Sequence, residues 1–475
     1  MSGKDQPIVR PSPFPAVAQE PAPNHPSLEN VHGSIQVPPY QAGFWQQWKA
    51  FVGPAILVSV GYMDPGNWGT DLEGGAQFRY GLLWVVGLAS LMAIFMQVIS
   101  ARLGVVTAKD LAQCCRDWYP SWTRWPNWLM SEVAIGACDL AEVLGSAVAL
   151  NLLFHIPLLW AVIITGLDVL LLLGLQRFGM RTIEAVILLL VATIAVCYFI
   201  EIFVLPETQP GFLELSRAFL APHLRHSGMI YVAIGIIGAT VMPHNLYLHS
   251  ALVQSRRLQT DDSSIRRALQ FNTIDSTVAL TVAFFVNAAI MVLAATVFFG
   301  KTGILVPGGQ FISFSPDSDW IRVAYLTLAP LLGTAAASTL FAVALLAAGQ
   351  SSTITGTLAG QVVMEGFMHW RIKPWVRRLI TRTLAILPAV LIIGLRGDNS
   401  VTELLTLSQV VLALQLPFAM FPLLHFTSSQ TRMGQWKNGL FLLAAGWASA
   451  ILITSMDIYG LPDSLKTAWQ LISGK

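Results

Sequence analysis

The chain has 475 residues, of which 54% are hydrophobic and only 11% charged, with a formal net charge of +2; a soluble domain carries about 25% charged residues. A mean hydropathy of +0.61 excludes an ordinary soluble enzyme or a nucleic-acid binder and makes the lipid bilayer the natural solvent. The four cysteines, Cys114, Cys115, Cys138 and Cys197, form no C-x-x-C pair and have no histidine cluster beside them, so no thiolate metal site is expected.

In chain order, residues 1–43 are proline-rich, polar and without period, and lack the apolar core of a signal peptide. They are expected to be a disordered cytoplasmic tail. From Phe44 onward, about eleven segments have the length and apolarity of membrane spans. They fall near 46–76, 81–104, 127–153, 157–175, 182–205, 227–255, 272–299, 323–348, 380–396, 401–425 and 438–457. The expected fold is therefore an all-α integral membrane protein with a transmembrane domain over 44–457. Within it, 44–205 and 226–425 are two repeats and 438–457 is an extra helix; 458–475 is a short extracytoplasmic tail. With the N-terminus inside, 19 of the 28 Lys and Arg fall in cytoplasmic segments and 8 outside, while Arg382 is near or within a span. This asymmetry orients the N-terminus inward and the C-terminus outward. No targeting segment is seen, and the compact size points to the cell membrane of a bacterium, the inner one.

Two spans are interrupted. The first reads Gly61-Tyr-Met-Asp64-Pro65-Gly66-Asn67 and the sixth Ala239-Thr-Val-Met242-Pro243-His244-Asn245. Proline removes a backbone donor and clashes with the preceding turn, so each helix should break there. In lipid such a break survives only where it lines a cavity or a site. An acid at the depth of Asp64 must face the protein interior. The pattern x-Pro-x-Asn thus recurs in spans one and six, at matching positions of two five-span halves. Five is odd, so the halves are inverted, and paired breaks of this kind mark a transporter's binding site. Proline kinks without function are the competing reading, and the polar groups attached to both breaks disfavour it.

The groups at the breaks are the Asp64 carboxylate, the Asn67 amide, the Met242 thioether and the carbonyls freed one turn earlier, at Gly61 and Ala239. Oxygen donors suit hard cations, and sulfur adds preference for later transition metals. A divalent transition metal is the expected cargo, and no resident cofactor is expected. Span three carries Glu132, Asp139 and Glu142. Acids inside a span are costly and read as a proton relay; for Asp139 and Glu142 a structural ion pair is the alternative. A dication at Asp64 would displace its proton toward these acids. His244 and His249 follow the second break and could carry protons, because imidazole titrates near neutral pH; packing histidines are the alternative.

Asp64-Pro65-Gly66-Asn67, Met242-Pro243-His244-Asn245 and Gly349-Gln-Ser-Ser-Thr-Ile-Thr-Gly-Thr-Leu-Ala-Gly-Gln361 resemble the signature motifs of the natural-resistance-associated macrophage protein (Nramp) family of metal–proton symporters. The resemblance covers about residues 44–457. It implies a leucine-transporter-like 5+5 inverted repeat with an eleventh helix. It implies metal ligands at Asp64, Asn67 and Met242, with the Ala239 and Gly61 carbonyls and Gln409 in some states. It also implies a proton path through the span-three acids that ends near an arginine of span nine, for which Arg382 is the candidate. The substrate would be Mn2+ or Fe2+, with H+ as the coupling ion and no obligate protein partner. A carrier of an organic substrate on the same fold is the first rival, and the sulfur of Met242 counts against it. A membrane sensor is the second, and the chain offers no large C-terminal domain to signal with. No G-x-S-x-G, H-E-x-x-H or phosphate loop is present, so an enzyme is not expected.

Overall fold

The computed structural model describes residues 26–29, 31–39, 42–167, 180–200, 211–220, 222, 224, 227–258, 261–305, 311–315, 318–332, 335–396 and 401–473. Most of the expected tail, the second half of the fourth expected span (168–175) and the end of the fifth (201–205) lie outside the described residues.

Helices dominate. They are α1 (Phe44–Phe51), α2 (Pro54–Ser59), α3 (Pro65–Phe78), α4 (Leu83–Thr107), α5 (Leu111–Trp118), α6 (Arg124–Phe154), α7 (Leu158–Thr165), α8 (Met180–Phe199) and α9 (Phe212–Leu220). They continue as α10 (Ser227–Val241), α11 (Pro243–Leu252), α12 (Asp262–Val297), α13 (Trp320–Leu332), α14 (Ala335–Met368), α15 (Pro374–Arg396), α16 (Val401–Ser428), α17 (Gln430–Met433) and α18 (Leu440–Ser473). Among the described residues eight helices are long and apolar enough to cross a membrane, and the shorter apolar helix Pro54–Met63 precedes the first break. Exposed leucines on α15 and α18, such as Leu384, Leu395 and Leu440, are side chains that lipid would cover.

The two halves pack in a matching way. The first broken unit (α2 and α3) lies on α12, the second (α10 and α11) on α4, and α6 packs along α14. In the order of spans these are one on seven, six on two, and three on eight, which is the pairing a two-fold relation between halves produces.

Four sequence boundaries are corrected. First, the initial span does not begin at 46: α1 ends at Phe51, and Gly53, at φ +136°, turns the chain before Pro54 starts α2. That φ is strained for any residue with a Cβ. The turn is held by Asp275 of α12, which accepts from the backbone N–H of Gly53 at 3.3 Å and of Ala55 at 3.0 Å. Second, the expected eighth span at 323–348 is divided between α13 and the separate α14. The small polar run Gly349–Gln361 sits inside α14 rather than after it. Small residues weaken the apolar signal there, but they let α14 approach α6 closely: a Cβ at Gly349 would fall 2.2 Å from Ser146 Oγ. Third, α18 runs on to Ser473, so no tail separates at 458.

Fourth, the tail is ordered in its second half. Ile35–Gln36 pairs as a parallel strand with Arg256–Arg257, just after α11. The Leu28 N–H donates to Glu365 Oε2 at 2.9 Å, and Glu29 pairs with Arg371 at 2.7 Å. Non-local partners supply the order that composition alone does not predict.

Candidate functional site

The first break is built by its own residues. Asp64 leaves the helix in extended geometry (φ −71°, ψ 167°) and caps α3, with Pro65 at the first helical position. Its Oδ1 accepts from the backbone N–H of Asn67 at 2.8 Å and from the Asn67 side-chain amide at 2.9 Å. The second break is sharper. Met242 sits at φ −1° and ψ 111°, between α10 and α11, and Pro243 starts the latter.

The two breaks meet. Asn67 Nδ2 lies 3.1 Å from the Ala239 carbonyl oxygen, 3.3 Å from that of Gly61 and 2.9 Å from Asp64 Oδ1. Three oxygens from both halves therefore converge on one point. Gly61 packs directly beneath the second break: a Cβ there would fall 3.1 Å from Met242 Sδ and 2.3 Å from Asn245 Nδ2. Gly66 makes the same allowance for Gln409 of α16, whose Nε2 would lie 2.1 Å from a Cβ. All six sequence-named ligand candidates, Asp64, Asn67, Met242, Gly61, Ala239 and Gln409, thus belong to one cluster. The side chains of Asp64, Met242 and Gln409 are wholly buried and that of Asn67 is 1% exposed.

Besides the oxygens that Asn67 satisfies, the cluster holds acceptors that lack a donor. Asp64 Oδ2, Asn245 Oδ1, Asn287 Oδ1 and Gln409 Oε1 are all buried and unbonded. An unsatisfied buried acceptor costs about 1–3 kcal/mol, so each of these oxygens is a group that a cation within reach would relieve. Asn287 was not singled out from the sequence. Its amide donates to the Tyr62 carbonyl at 2.8 Å and to Asn67 Oδ1 at 3.2 Å, so it orients the ligand amide. Thr240 bonds the same oxygen at 3.4 Å.

The acids of α6 are not free. Arg378 bonds Asp139 and also reaches Glu142 Oε2 at 3.0 Å, all three side chains being 1% exposed or less. Arg377 pairs with Glu132 at 2.9 Å. Arg382, the residue expected to end the row, stands 3.6 Å from Glu142 Oε2 and donates to the Asp139 carbonyl at 3.4 Å. The principal partner is therefore Arg378, one turn earlier. Sequence reading placed Arg377 and Arg378 in a cytoplasmic loop, but α15 begins at Pro374 and buries both. Ser352 and Thr353 of the small polar run donate to Glu142 at 2.9 and 3.1 Å, so that run acts as a close-packing face that holds the acid. Cys138 links the two regions: it packs in one apolar cluster with Met242 and donates to Glu142 Oε1 at 3.7 Å.

His249 stands apart from the acids of α6, whereas His244 lies within electrostatic reach of Asp139. His249 Nδ1 lies 2.9 Å from Gln97 Oε1, and Gln97 Nε2 donates to Tyr62 Oη at 2.6 Å. A buried chain, Tyr62–Gln97–His249, thereby joins the first broken unit to the second through α4. His244 is 2% exposed, and its Nδ1 has no hydrogen-bond partner. Among the described residues no group of three or more His, Cys, Asp or Glu forms a metal cage. The site depends on one carboxylate, amides, carbonyls and sulfur.

The chain as a whole resembles known proteins. The family model described as natural resistance-associated macrophage protein-like matches residues 55–463. A divalent metal cation transporter, MntH, from Nostoc is 50% identical over 94% of this chain and 98% of its own length. A crystal structure of the Eremococcus coleocola manganese transporter superposes with a TM-score of 0.81 at 36% identity, covering 94% of this chain and 97% of that one. A nucleobase–cation symporter, Mhp1, in a closed conformation, shares the fold at a TM-score of 0.53 and 12% identity, over 89% of this chain and 93% of its own.

Proposed function

Since this chain belongs to the natural resistance-associated macrophage protein family, we propose that it carries divalent transition metal ions, Mn2+ and Fe2+, across the cell membrane in symport with protons. It is a multi-pass membrane transporter of divalent metal cations and not an enzyme. The observation that carries the substrate reading is the convergence of Asp64, the Gly61 and Ala239 carbonyls, Asn67 and Met242 at two helix breaks. Carboxylate, amide and carbonyl oxygens hold a hard or borderline dication, and the thioether favours Mn2+, Fe2+ and later metals over Ca2+ and Mg2+. Gln409, with an unbonded oxygen next to Gly66, completes the shell when the site closes.

A dication and a proton compete for the Asp64 carboxylate, so metal loading releases a proton there. Glu142, Asp139 and Glu132, each facing an arginine of α15, form the charged row that receives it, and Cys138 stands between the metal site and that row. His244, within reach of Asp139, and His249, bonded to Gln97 of α4, are the second route. Pro65 with Gly66, and Pro243 with Asn245, let the half-helices tilt about a fixed site, which gives alternating access. The asymmetry of basic residues supports an N-terminus in the cytoplasm and a C-terminus outside, in a bacterial inner membrane.

Purified protein in liposomes loaded with a pH dye tests this reading. Saturable Mn2+ uptake with internal acidification is the expected result, and uptake without acidification removes proton coupling from the proposal. In Met242→Ala, Ca2+ and Mg2+ should compete at concentrations about tenfold lower, the scale of one lost discriminating contact. Unchanged competition would remove sulfur as the selectivity element.

A further inference from the structure

Asp71 lies on α3 seven residues after Asp64 and four after Asn67. At helical spacing these three share one face. Asp71 is therefore about 10 Å further along the axis, toward the Arg79 end of the helix. Its side chain is 1% exposed, and its carboxylate makes no hydrogen bond or ion pair among the described residues. Every other acid inside the transmembrane bundle discussed above has a partner: Asp139 and Glu142 have Arg378, Asp275 has two backbone N–H groups, and Asp64 has Asn67. An isolated buried carboxylate is among the most costly groups a protein can hold.

Its surroundings supply a second observation. Asn287 of α12 bonds Asn67, while one turn later Met291 touches Gly74 and Gly75 of α3. Asp71 lies between those two contacts along α3. Asn287 is 1% exposed, and its Oδ1 has no donor. On the stretch of α3 leading away from Asp64, the unpaired polar groups are again oxygens, with no basic side chain paired to them.

We propose that Asp71 is a second cation position, which takes the divalent metal ion with part of its water shell before passing it along α3 to Asp64. With the N-terminus inside, this position lies on the extracytoplasmic side of Asp64. The proposal rests on the metal-carrier reading above. It assigns to Asp71 capture of the arriving ion, and to Asp64 the deep coordination and the proton exchange.

Two measurements test it on the full-length protein. Mn2+ binding in detergent, followed by the electron paramagnetic resonance of free Mn2+, should show that Asp64→Ala retains one weak site and that Asp64→Ala with Asp71→Asn retains none. In liposomes, Asp71→Asn should raise the KM for Mn2+ added on the entrance side about tenfold and leave kcat within about twofold. Asparagine keeps the shape and removes an unpaired charge, so this variant should melt no lower than wild type; Asp71→Ser, smaller and also neutral, should give the same KM shift. A residue that only packs would move melting temperature and kcat, not KM. An unchanged KM in both variants, or an Asp64→Ala protein that binds no Mn2+, overturns the proposal. Wild-type protein that neither binds nor transports Mn2+ overturns instead the metal-carrier reading beneath it.

Discussion

Asp64→Ala should reduce Mn2+ uptake in liposomes by at least about a hundredfold, which corresponds to about 2.7 kcal/mol of lost ion stabilisation. The size follows from the residue's position. Among the described residues Asp64 is the single carboxylate of the inner cluster, and the other proposed ligands there are neutral. A dication in low dielectric that loses its one anionic ligand loses its largest attractive term. Alanine also removes the cap on α3, where Asp64 accepts from the Asn67 N–H, at a cost of about 1 kcal/mol of helix stability. Asp64→Asn separates the two effects, since the amide oxygen still caps α3 while the charge is gone. Transport should fail equally in both variants, and only the alanine variant should melt at a lower temperature. Normal uptake by the asparagine variant would show that the charge is not what binds the ion.

Replacing Arg378 with leucine should destabilise the protein by about 3–5 kcal/mol, because it strands two buried carboxylates. One guanidinium serves both Asp139 and Glu142, and among the described residues Arg382, 3.6 Å from Glu142, is the cation that remains beside them. The single variant is expected to give little folded protein by size-exclusion chromatography. Adding Asp139→Asn and Glu142→Gln removes the stranded charges and should restore the yield. That triple variant is the informative one: it should take up Mn2+ without acidifying the liposome. Wild-type acidification by it would place the proton route elsewhere, with the histidines of the second break as the remaining candidates.

The parts of the site legible in sequence were those with a local signal. A proline and an acid inside an apolar run mark a break wherever the chain goes, so Asp64-Pro65 and Met242-Pro243 could be paired without knowing the fold. The partners of the acids were harder. Arg377 and Arg378 precede an apolar run and look like the basic edge of a cytoplasmic loop, and only the start of α15 at Pro374 shows that they are buried. Asp71 and Gln97 carried a readable signal, a polar side chain within an apolar helix, but no proline drew attention to them. The strand formed by Ile35 and Gln36 had no such signal, because its partner, Arg256–Arg257, lies about 220 residues away and proline-rich composition masked it.

The glycines at the breaks have a consequence for hydration. Gly61 and Gly66 leave no space for even a methyl group between the first break and Asn245, Met242 or Gln409. At the proposed metal site, packing this close makes shedding of much of the ion's water shell part of entry. Mg2+ gives up water reluctantly and insists on octahedral geometry at short distances, whereas larger dications lose water more readily. On the proposed function, tightness at two glycines adds desolvation to sulfur as a source of discrimination, and a Gly61 or Gly66 substitution cannot be read as a change of ligand set alone.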